Sequence, residues 1–397
     1  MLQCFTYHAP MGNSYQHHIA PTHYACSVQS YENKDYVDSI DNLILYLTQD
    51  KQSKVIDESG KITYTLPHGS IIISVSVDKN KDLLHIRAPF VSIEGSKIIP
   101  LLRKATQLNF SPLVLSRIVL EGDAMFFDYK TILEDTDPDK LYDILREICL
   151  QADTYDDEFI HKYNAVRLHS PEIIPYSDNQ KEVALQNIMI YIREAEYVID
   201  YFEKKRMSGF VWDILAILFM KIDFYLQPQG YLRKMLEDAL DELFGDAELS
   251  SRIQKGKEFS KQLSQINKEV FIDSLYEIKI LIPYKEAYGT DAFHKQLMGA
   301  LAQAQDEYKN MDYYGCVLTI QYNLYRICYK GNFDKLFSDA IQNCLSRGSN
   351  KPMAEAAQIM LADFETLMTL SPEGILPEED KRIEEKKGFF AKLFSKK

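Results

Sequence analysis

The period of the apolar residues changes once along the chain, and this change predicts two parts of different construction. Up to residue 132 several segments alternate apolar and polar residues, most clearly residues 71–77, where Ser74 and Ser76 separate aliphatic side chains. A period of two is typical of half-buried strands. From residue 178 to residue 370 the apolar residues instead follow the helical period of about 3.6. That pattern predicts helices that pack against one another.

Local start and stop signals place the elements of the first part. Asp137 followed by Pro138 predicts the start of a helix, because Asp caps a helix well and Pro suits its first residue. Residues 78–82 and Gly122 with Asp123 are turn signals between strands. Helices are expected at 36–48 and 95–109 and from Pro138. Strands are expected on both sides of 58–61, at 71–77, from Leu84 to just before Pro89, at 113–121 and at 124–132.

These elements define an α+β fold class. The expected order is α-β-β-β-α-β-β-α, followed by helices alone. An irregular arm is expected first, because residues 1–31 contain no Asp, Glu, Lys or Arg and hold four of the nine histidines together with Gly, Pro, Asn, Ser and Tyr. The predicted domains are the arm 1–31, an α+β domain 32–170, an all-helical bundle 178–370, a linker 371–380 and an amphipathic tail 381–397.

Charge and cysteine content narrow the classes of partner and compartment. The chain has 397 residues, with 45 basic and 58 acidic side chains and a net charge of −13, so nucleic acid is not an expected partner. Its six cysteines are scattered without a C-x-x-C pair, which indicates reduced thiols. The first residues lack the basic and apolar regions of a signal peptide. We expect a cytoplasmic protein.

The tail has the pattern of a short helix lying on a membrane surface. Its large apolar side chains fall on one helical face, and lysines flank them. Because the body of the chain is acidic, attraction to an anionic leaflet has to come from these lysines. Two alternatives stay open: the tail packs on its own helical domain or a partner, or it is disordered. The residues expected to bind the membrane are Lys386, Lys387, Phe389, Phe390, Lys392, Leu393, Phe394, Lys396 and Lys397.

The first part resembles the YbjN family, whose fold is similar to that of the small dimeric chaperones of type III secretion. The resemblance covers about residues 33–168 and is carried by the element order, L-x-I-R-A-P at 84–89 and L-L-R at 101–103. It also includes the end of the last helix, at Ala152, Asp153, Tyr155, Asp156 and Asp157. The resemblance implies a homodimer that holds extended protein segments, and it implies no catalytic residue.

The segment KKGFFAKLF, residues 386–394, is similar to the membrane-targeting sequence that ends the Min-system ATPases of the MinD type. Those sequences also read Lys-Lys-Gly-Phe before an alternation of Lys with Leu and Phe. Ala391 stands where a second basic residue is common, which lowers the expected electrostatic attraction slightly. The resemblance implies peripheral attachment to the inner face of the membrane.

Two groups of side chains suggest metal ligands, and neither has the spacing of a known site. The arm holds a set of histidines and cysteines whose separations match no zinc ligand pair: Cys4, His8, His17, His18, His23 and Cys26. Asp135, Asp137 and Asp139 open like a calcium loop, but Lys140 and Arg146 occupy the positions that need Gly and Glu. We expect no metal or cofactor, and we expect these aspartates to cap a helix.

Three further groups have both a structural and a functional interpretation. Asp153, Asp156, Asp157 and Glu158 are interpreted as the solvated face of a helix, with binding of a cation or basic segment as the alternative. Trp212 has apolar neighbours and is expected to be structural. Tyrosines at helical spacing are expected to pack in the core, with a peptide-binding groove as the alternative: Tyr313, Tyr314, Tyr322, Tyr325 and Tyr329.

The sequence contains no G-x-S-x-G, phosphate-binding glycine loop or H-E-x-x-H motif, so we predict a protein without catalytic residues. The expected function is a dimeric adaptor or chaperone-like protein that binds a protein partner and is held at the membrane by its tail. One alternative is a soluble regulatory or scaffold protein whose tail packs on its own helices. The other is a hydrolase whose acid and base residues come from distant positions.

Overall fold

The computed structural model describes residues 5–12, 21–48, 53–169, 173–282 and 285–371. It confirms the α+β class: an antiparallel sheet with helices comes first, and a mostly helical region follows. We call the first part, residues 21–169, the head and the second, residues 173–371, the helical half.

The head has one sheet with its helices, and its last helix begins as the sequence predicts. Asp137 caps that helix, and Pro138 is its first residue. The helices are α1 (Pro21–Glu32), α2 (Tyr36–Thr48), α3 (Ile98–Phe110) and α4 (Pro138–Tyr163). The strands are β1 (Ser53–Ile56), β2 (Ile62–His68), β3 (Ile71–Asp78), β4 (Leu83–Ser92), β5 (Arg117–Glu121), β6 (Ala124–Thr131) and β7 (Val166–Arg167).

The sheet is covered by helices on one face. Its strand order is β1-β2-β3-β4-β6-β5, with β7 added beside β4, and each of these pairs is antiparallel. Alternate residues such as Tyr64, Val75 and Ile86 are fully buried and share one core with α2, α3 and α4. The other face carries polar side chains, as the alternation in the sequence predicts.

Two predictions about the head are wrong. Residues 21–32 form helix α1 instead of an irregular arm, and α1 is tied to α2 because Ser27 Oγ donates to the carbonyl of Ser39 at 2.7 Å. Strand β4 also continues past Pro89 to Ser92. The register with β6 shifts between these two residues, and such a bulge tolerates proline within a strand.

The helical half consists of nine helices among the described residues, together with short strand pairs that an all-helical prediction does not include. Strand β8 (Ile173–Pro175) pairs with β9 (Tyr276–Ile278), and β10 (Glu286–Ala287) pairs with β11 (Gly331–Asn332). The helices are α5 (Asp178–Lys204), α6 (Ser208–Leu226), α7 (Gly230–Phe244), α8 (Leu249–Ser264), α9 (Lys268–Asp273), α10 (Thr290–Lys309), α11 (Tyr313–Lys330), α12 (Lys335–Gly348) and α13 (Met353–Leu367).

Each core includes residues from outside its own part of the chain. Leu281 and Ile282 come from the helical half but are buried in the core of the head. Phe5, near the start of the chain, is buried in the core of the helical half. The head and the helical half are therefore packed against each other. No helix within the described ranges has both the length and the apolar character that a membrane span requires.

Candidate functional site

The acidic group at the end of α4 is buried, so its interpretation as a solvated helix face is wrong. Asp153, Asp156, Asp157 and Glu158 are each less than a tenth exposed. Helix α4 contacts α7 of the helical half, and the carboxylate of Asp157 lies against Gly230, the first residue of α7. A helical pattern read alone cannot show this, because the partner that covers the face is distant in sequence.

Hydrogen bonds and ion pairs compensate the buried carboxylates. Ser70 donates to Asp153 Oδ1 from its backbone N at 2.6 Å and to Asp156 Oδ2 from its hydroxyl at 2.6 Å. Arg167 Nε lies 3.1 Å from Asp156 Oδ2, and its guanidinium also pairs with Asp157. Gly69 donates from its backbone N to the carbonyl of Lys279 at 3.0 Å. The bond from Gly69, which lies against the carboxylate of Asp153, joins the head to the helical half beside this network.

Burial and the charge of Arg167 act on the pKa values of these carboxylates in opposite directions. Burial raises the pKa of Asp156, the neighbouring Asp157 adds to this, and Arg167 opposes it. Burial likewise raises the pKa of Asp157 against the charge of Arg167. Within the described ranges no group of His, Cys, Asp or Glu is arranged to hold a metal ion. The carboxylates are buried and form hydrogen bonds and ion pairs within the chain, so they do not form a surface for a basic partner segment.

The remaining polar motifs in the described ranges are accounted for by local structure. Asp137 Oδ1 accepts from the backbone N of Asp139 at 3.0 Å and of Lys140 at 3.2 Å, so Asp137 caps α4 as predicted. Asp135 and Asp139 do not cap this helix: Asp135 Oδ2 lies 3.5 Å from Thr131 Oγ1, and the carboxylate of Asp139 accepts from the hydroxyl of Tyr24. His8 Nδ1 lies 2.7 Å from the hydroxyl of Tyr191, while His23 and Cys26 lie on α1. Cys4, His17 and His18 fall outside the described residues.

The aromatic residues of the helical half pack as predicted. Trp212 Nε1 donates to the carbonyl of Leu243 at 2.8 Å, and its ring contacts Phe244 edge-on, which confirms a structural role. Tyr325 is fully buried in the helical core. Its partly buried neighbours pack against the same core: Tyr313, Tyr314, Tyr322 and Tyr329.

The tail is not among the residues that the structure describes, which end at residue 371. The predicted membrane-binding residues therefore keep the standing of a prediction. They are Lys386, Lys387, Phe389, Phe390, Lys392, Leu393, Phe394, Lys396 and Lys397.

The two most exposed large apolar side chains in the described part of the head lie where α3 leads into β5. Phe110 is 90% exposed and Val114 is 71% exposed, and Leu120 on β5 is also exposed. We call Phe110, Val114 and Leu120 the α3–β5 corner. β5 is the last strand in the order of the sheet, so the corner lies at a sheet edge. Exposed apolar groups at such a position are typical of interaction surfaces.

Hydrogen bonds hold the backbone of the corner in place. The carboxylate of Glu147 on α4 accepts from the backbone N of Val114 at 2.7 Å, of Leu115 at 3.2 Å and of Ser116 at 2.7 Å. Ser116 Oγ also donates to it at 2.7 Å. The loop between α3 and β5 is therefore fixed by one charged acceptor, and its apolar side chains are presented without a large ordering cost on binding.

Asn109 protects the edge strand beside the corner. Its side chain accepts from the backbone N of Ile118 at 2.7 Å and donates to the carbonyl of Ile118 at 2.9 Å. These bonds occupy backbone groups that a partner strand would otherwise pair with. The backbone N–H and C=O of Leu120, two residues further along β5, point the same way as those of Ile118, because the direction of pairing alternates from one residue to the next. The corner thus favours side-chain contact over addition of a long strand.

The polar face of the sheet continues up to this edge. His85 Nε2 lies 2.6 Å from Asp128 Oδ1 across strands β4 and β6. The guanidinium of Arg87 lies 3.7 Å from the ring centroid of Phe126, and it pairs with Glu121 on β5. These pairs connect neighbouring strands and brace β5.

Comparisons with known proteins do not identify the chain: no protein-family model matches it, and no curated protein matches it. The resemblances to the YbjN family and to the MinD-type tail stay predictions from the residues quoted above.

Proposed function

We propose that this protein is a non-enzymatic adaptor that binds a protein partner at the α3–β5 corner and is held at the cytoplasmic face of a membrane by its tail. The observation that carries the proposal is the solvent exposure of the apolar Phe110 side chain beside a backbone that hydrogen bonds hold in place. The partner offers an apolar segment that covers Phe110 and Val114. Burying these two side chains stabilises a complex by about 1.5–3 kcal/mol each before ordering costs.

The form of the corner supports contact through side chains. Its loop is fixed by Glu147, so little conformational entropy is lost when a partner binds. Aromatic side chains are enriched in the cores of protein interfaces, and Phe110 has that character. Asn109 occupies the backbone groups of Ile118, which disfavours uncontrolled edge pairing between copies of the chain.

The tail holds the protein, and with it the binding site for the partner, at the membrane. Its four large apolar side chains yield roughly 6–12 kcal/mol when buried in the lipid interface, and ordering the tail removes much of that gain. A single tail therefore binds weakly. In a homodimer the second tail binds at high effective concentration, which strengthens attachment roughly 100-fold. Dimerisation and membrane attachment are thus two parts of the same proposal.

The test of partner binding compares the wild type with the double variant Phe110→Ser, Val114→Ser. Affinity-tagged full-length chains are expressed in the source cells, and their bound proteins are quantified. Ile174→Ser is the matched control, because Ile174 is also an exposed apolar residue but lies on β8 in the helical half. We expect a specific partner to be retained by the control and lost by the double variant. Equal recovery from all three chains refutes the corner as the binding site.

The test of localisation uses sedimentation with anionic phospholipid vesicles. Intact protein is compared with a chain that ends at Asp380, and sedimentation equilibrium reports the oligomeric state of both. We expect only the intact chain to pellet, and we expect pelleting to decrease with salt because the lysines supply the attraction. Equal pelleting of both chains argues against a membrane role of the tail. A shift in hydrogen exchange on the helical half after truncation favours a tail packed on its own body.

A further inference from the structure

A cleft in the helical half has no place in the function proposed above. It lies between α5, α6 and α11, has a cavity volume of about 70 Å³ and is open to solvent. Phe5 and Met353 contribute to its rim. Its walls are mostly aliphatic: Val198, Ile214, Ile217, Leu218, Val317 and Leu318.

Lys221 extends into this apolar cleft from α6. The residue is only 6% exposed, and its Nζ lies 3.6 Å from Glu194 Oε2 and 3.8 Å from the ring centroid of Tyr191. Burial is the main reason why the pKa of Lys221 is lowered to about 8. An ammonium group has three N–H donors, and the described residues offer it this one carboxylate and one ring face. At least one donor is therefore left for water or for a group bound in the cleft.

The chain's first described residues hold Glu194 in position. Its carboxylate accepts from the backbone N of Thr6 at 3.3 Å and from the hydroxyl of the same residue. His8 bonds the hydroxyl of Tyr191, so residues 5–8 lie along one side of the cleft. Burial, assisted by the charge of Lys221, lowers the pKa of His8 and favours its neutral form. The acidic partner of Lys221 is thereby fixed and has its own donors.

Gln321 provides a second polar group in the cleft. It lies on α11, lines the cleft and is only 4% exposed. Among the described residues no group forms a hydrogen bond with its side-chain amide, and the amide is not sealed from solvent. Because polar groups in folded proteins are almost always paired, this amide pairs with water or with a polar group bound in the cleft. The observation is independent of Lys221, because the two side chains come from different helices.

We propose that the cleft binds a small uncharged molecule with an apolar body and a carbonyl or carboxamide group, held by Lys221 and Gln321. The apolar body contacts the aliphatic walls, the carbonyl oxygen accepts from the ammonium, and the amide of Gln321 completes the pairing. The cleft is expected to bind charged molecules less tightly than uncharged ones. The charges of Lys221 and Glu194 cancel, so an added carboxylate or ammonium is a buried charge without a partner.

Three fluorinated probes of similar size test the ligand class by fluorine NMR titration of the full-length protein. para-Fluorobenzamide carries the neutral carbonyl, fluorobenzene lacks a polar group, and para-fluorobenzoate carries a charge. We expect fluorobenzamide to bind at least about fivefold more tightly than either of the others, the factor that one or two net hydrogen bonds supply. Equal or tighter binding of the benzoate, or of fluorobenzene, overturns the proposed class, and so does the absence of binding by all three.

Variants locate the binding. Gln321→Leu is expected to weaken fluorobenzamide about fivefold and to leave fluorobenzene unchanged. Ala195→Leu fills the cleft and is expected to weaken all probes, while Met298→Gln is a surface control on α10. Thermal unfolding and circular dichroism verify that each variant is folded. If fluorobenzamide binds Gln321→Leu and Ala195→Leu as it binds the wild type, the site is not this cleft.

Discussion

Replacing Arg167 by methionine removes the one cation that directly pairs with the carboxylates of Asp156 and Asp157 among the described residues. The guanidinium is 29% exposed, whereas both carboxylates are nearly buried. Methionine keeps much of the side-chain volume, so the loss is mainly electrostatic. Removing one partner of a buried ion pair costs about 3–5 kcal/mol, and partial exposure places Arg167 near the lower value. We expect the free energy of unfolding to fall by about 3 kcal/mol at neutral pH.

The pKa shifts of the two aspartates predict how the stability deficit of Arg167→Met changes with pH. Burial raises the pKa of Asp156 and Asp157 in the folded state, so the folded protein binds protons more readily than the unfolded chain. Stability contributed by these groups therefore increases as the pH falls from neutral toward the unfolded value of about 3.9. Without Arg167 both pKa values rise further, and protonation relieves the repulsion earlier. The deficit of Arg167→Met is expected to shrink between about pH 7 and pH 5.

Urea unfolding of wild type and variant at both pH values measures the deficit. Arg347→Met is the matched control: Arg347 pairs with Asp363, but its side chain is 55% exposed, so its loss is expected to cost less than about 1 kcal/mol. Two results refute the reasoning. One is a loss for Arg167→Met no larger than that of the control, and the other is a deficit that grows on acidification.

Three further perturbations address single features. Gly230 has a positive φ and faces the carboxylate of Asp157, so Gly230→Ala should lower the free energy of unfolding by at least about 3 kcal/mol, measured by thermal unfolding. Gly60→Ala should lower it by only about 1 kcal/mol, because a methyl group at Gly60 meets no neighbouring atom. Equal losses for the two variants contradict this reasoning. The free energy of unfolding of the wild type, taken relative to that of Lys221→Met, should rise by up to about 3 kcal/mol between pH 8 and 10. In this range the unfolded chain still binds the Lys221 proton that the folded protein has lost. Parallel curves of stability against pH for the two proteins would contradict this expectation. Glu147→Gln should cost about 1–2 kcal/mol and accelerate amide hydrogen exchange at Val114 and Ser116, and unchanged exchange would argue against the proposed bracing.

Local signals in the sequence were sufficient for elements whose stability depends on near neighbours. Alternation at residues 71–77 predicted strand β3, and Asp137 with Pro138 predicted the first residue of α4. These features follow from backbone geometry and capping, which involve residues within one turn or one strand. The fold class followed from their order.

Other features depended on contacts between residues far apart. Helix α1 has a weak apolar pattern, and its contacts with α2 and α4 are what hold it. The acidic end of α4 reads as a solvent face, yet it is buried by Arg167, Ser70 and the helical half. No spacing rule joins Glu147 to the loop at Val114, or Lys221 to Gln321.

The sequence by itself determined the α+β class, the helices α2 and α3, the start of α4, the helical character of the second part and the position of a lysine-flanked apolar tail. Only the tertiary structure decided which charges are buried, which apolar residues stay in solvent at the α3–β5 corner, and which helices enclose a cleft. The physical reason is that burial is a property of pairs of surfaces. Periodicity along the chain shows that a face exists, and the packing of distant segments decides whether that face meets water or protein.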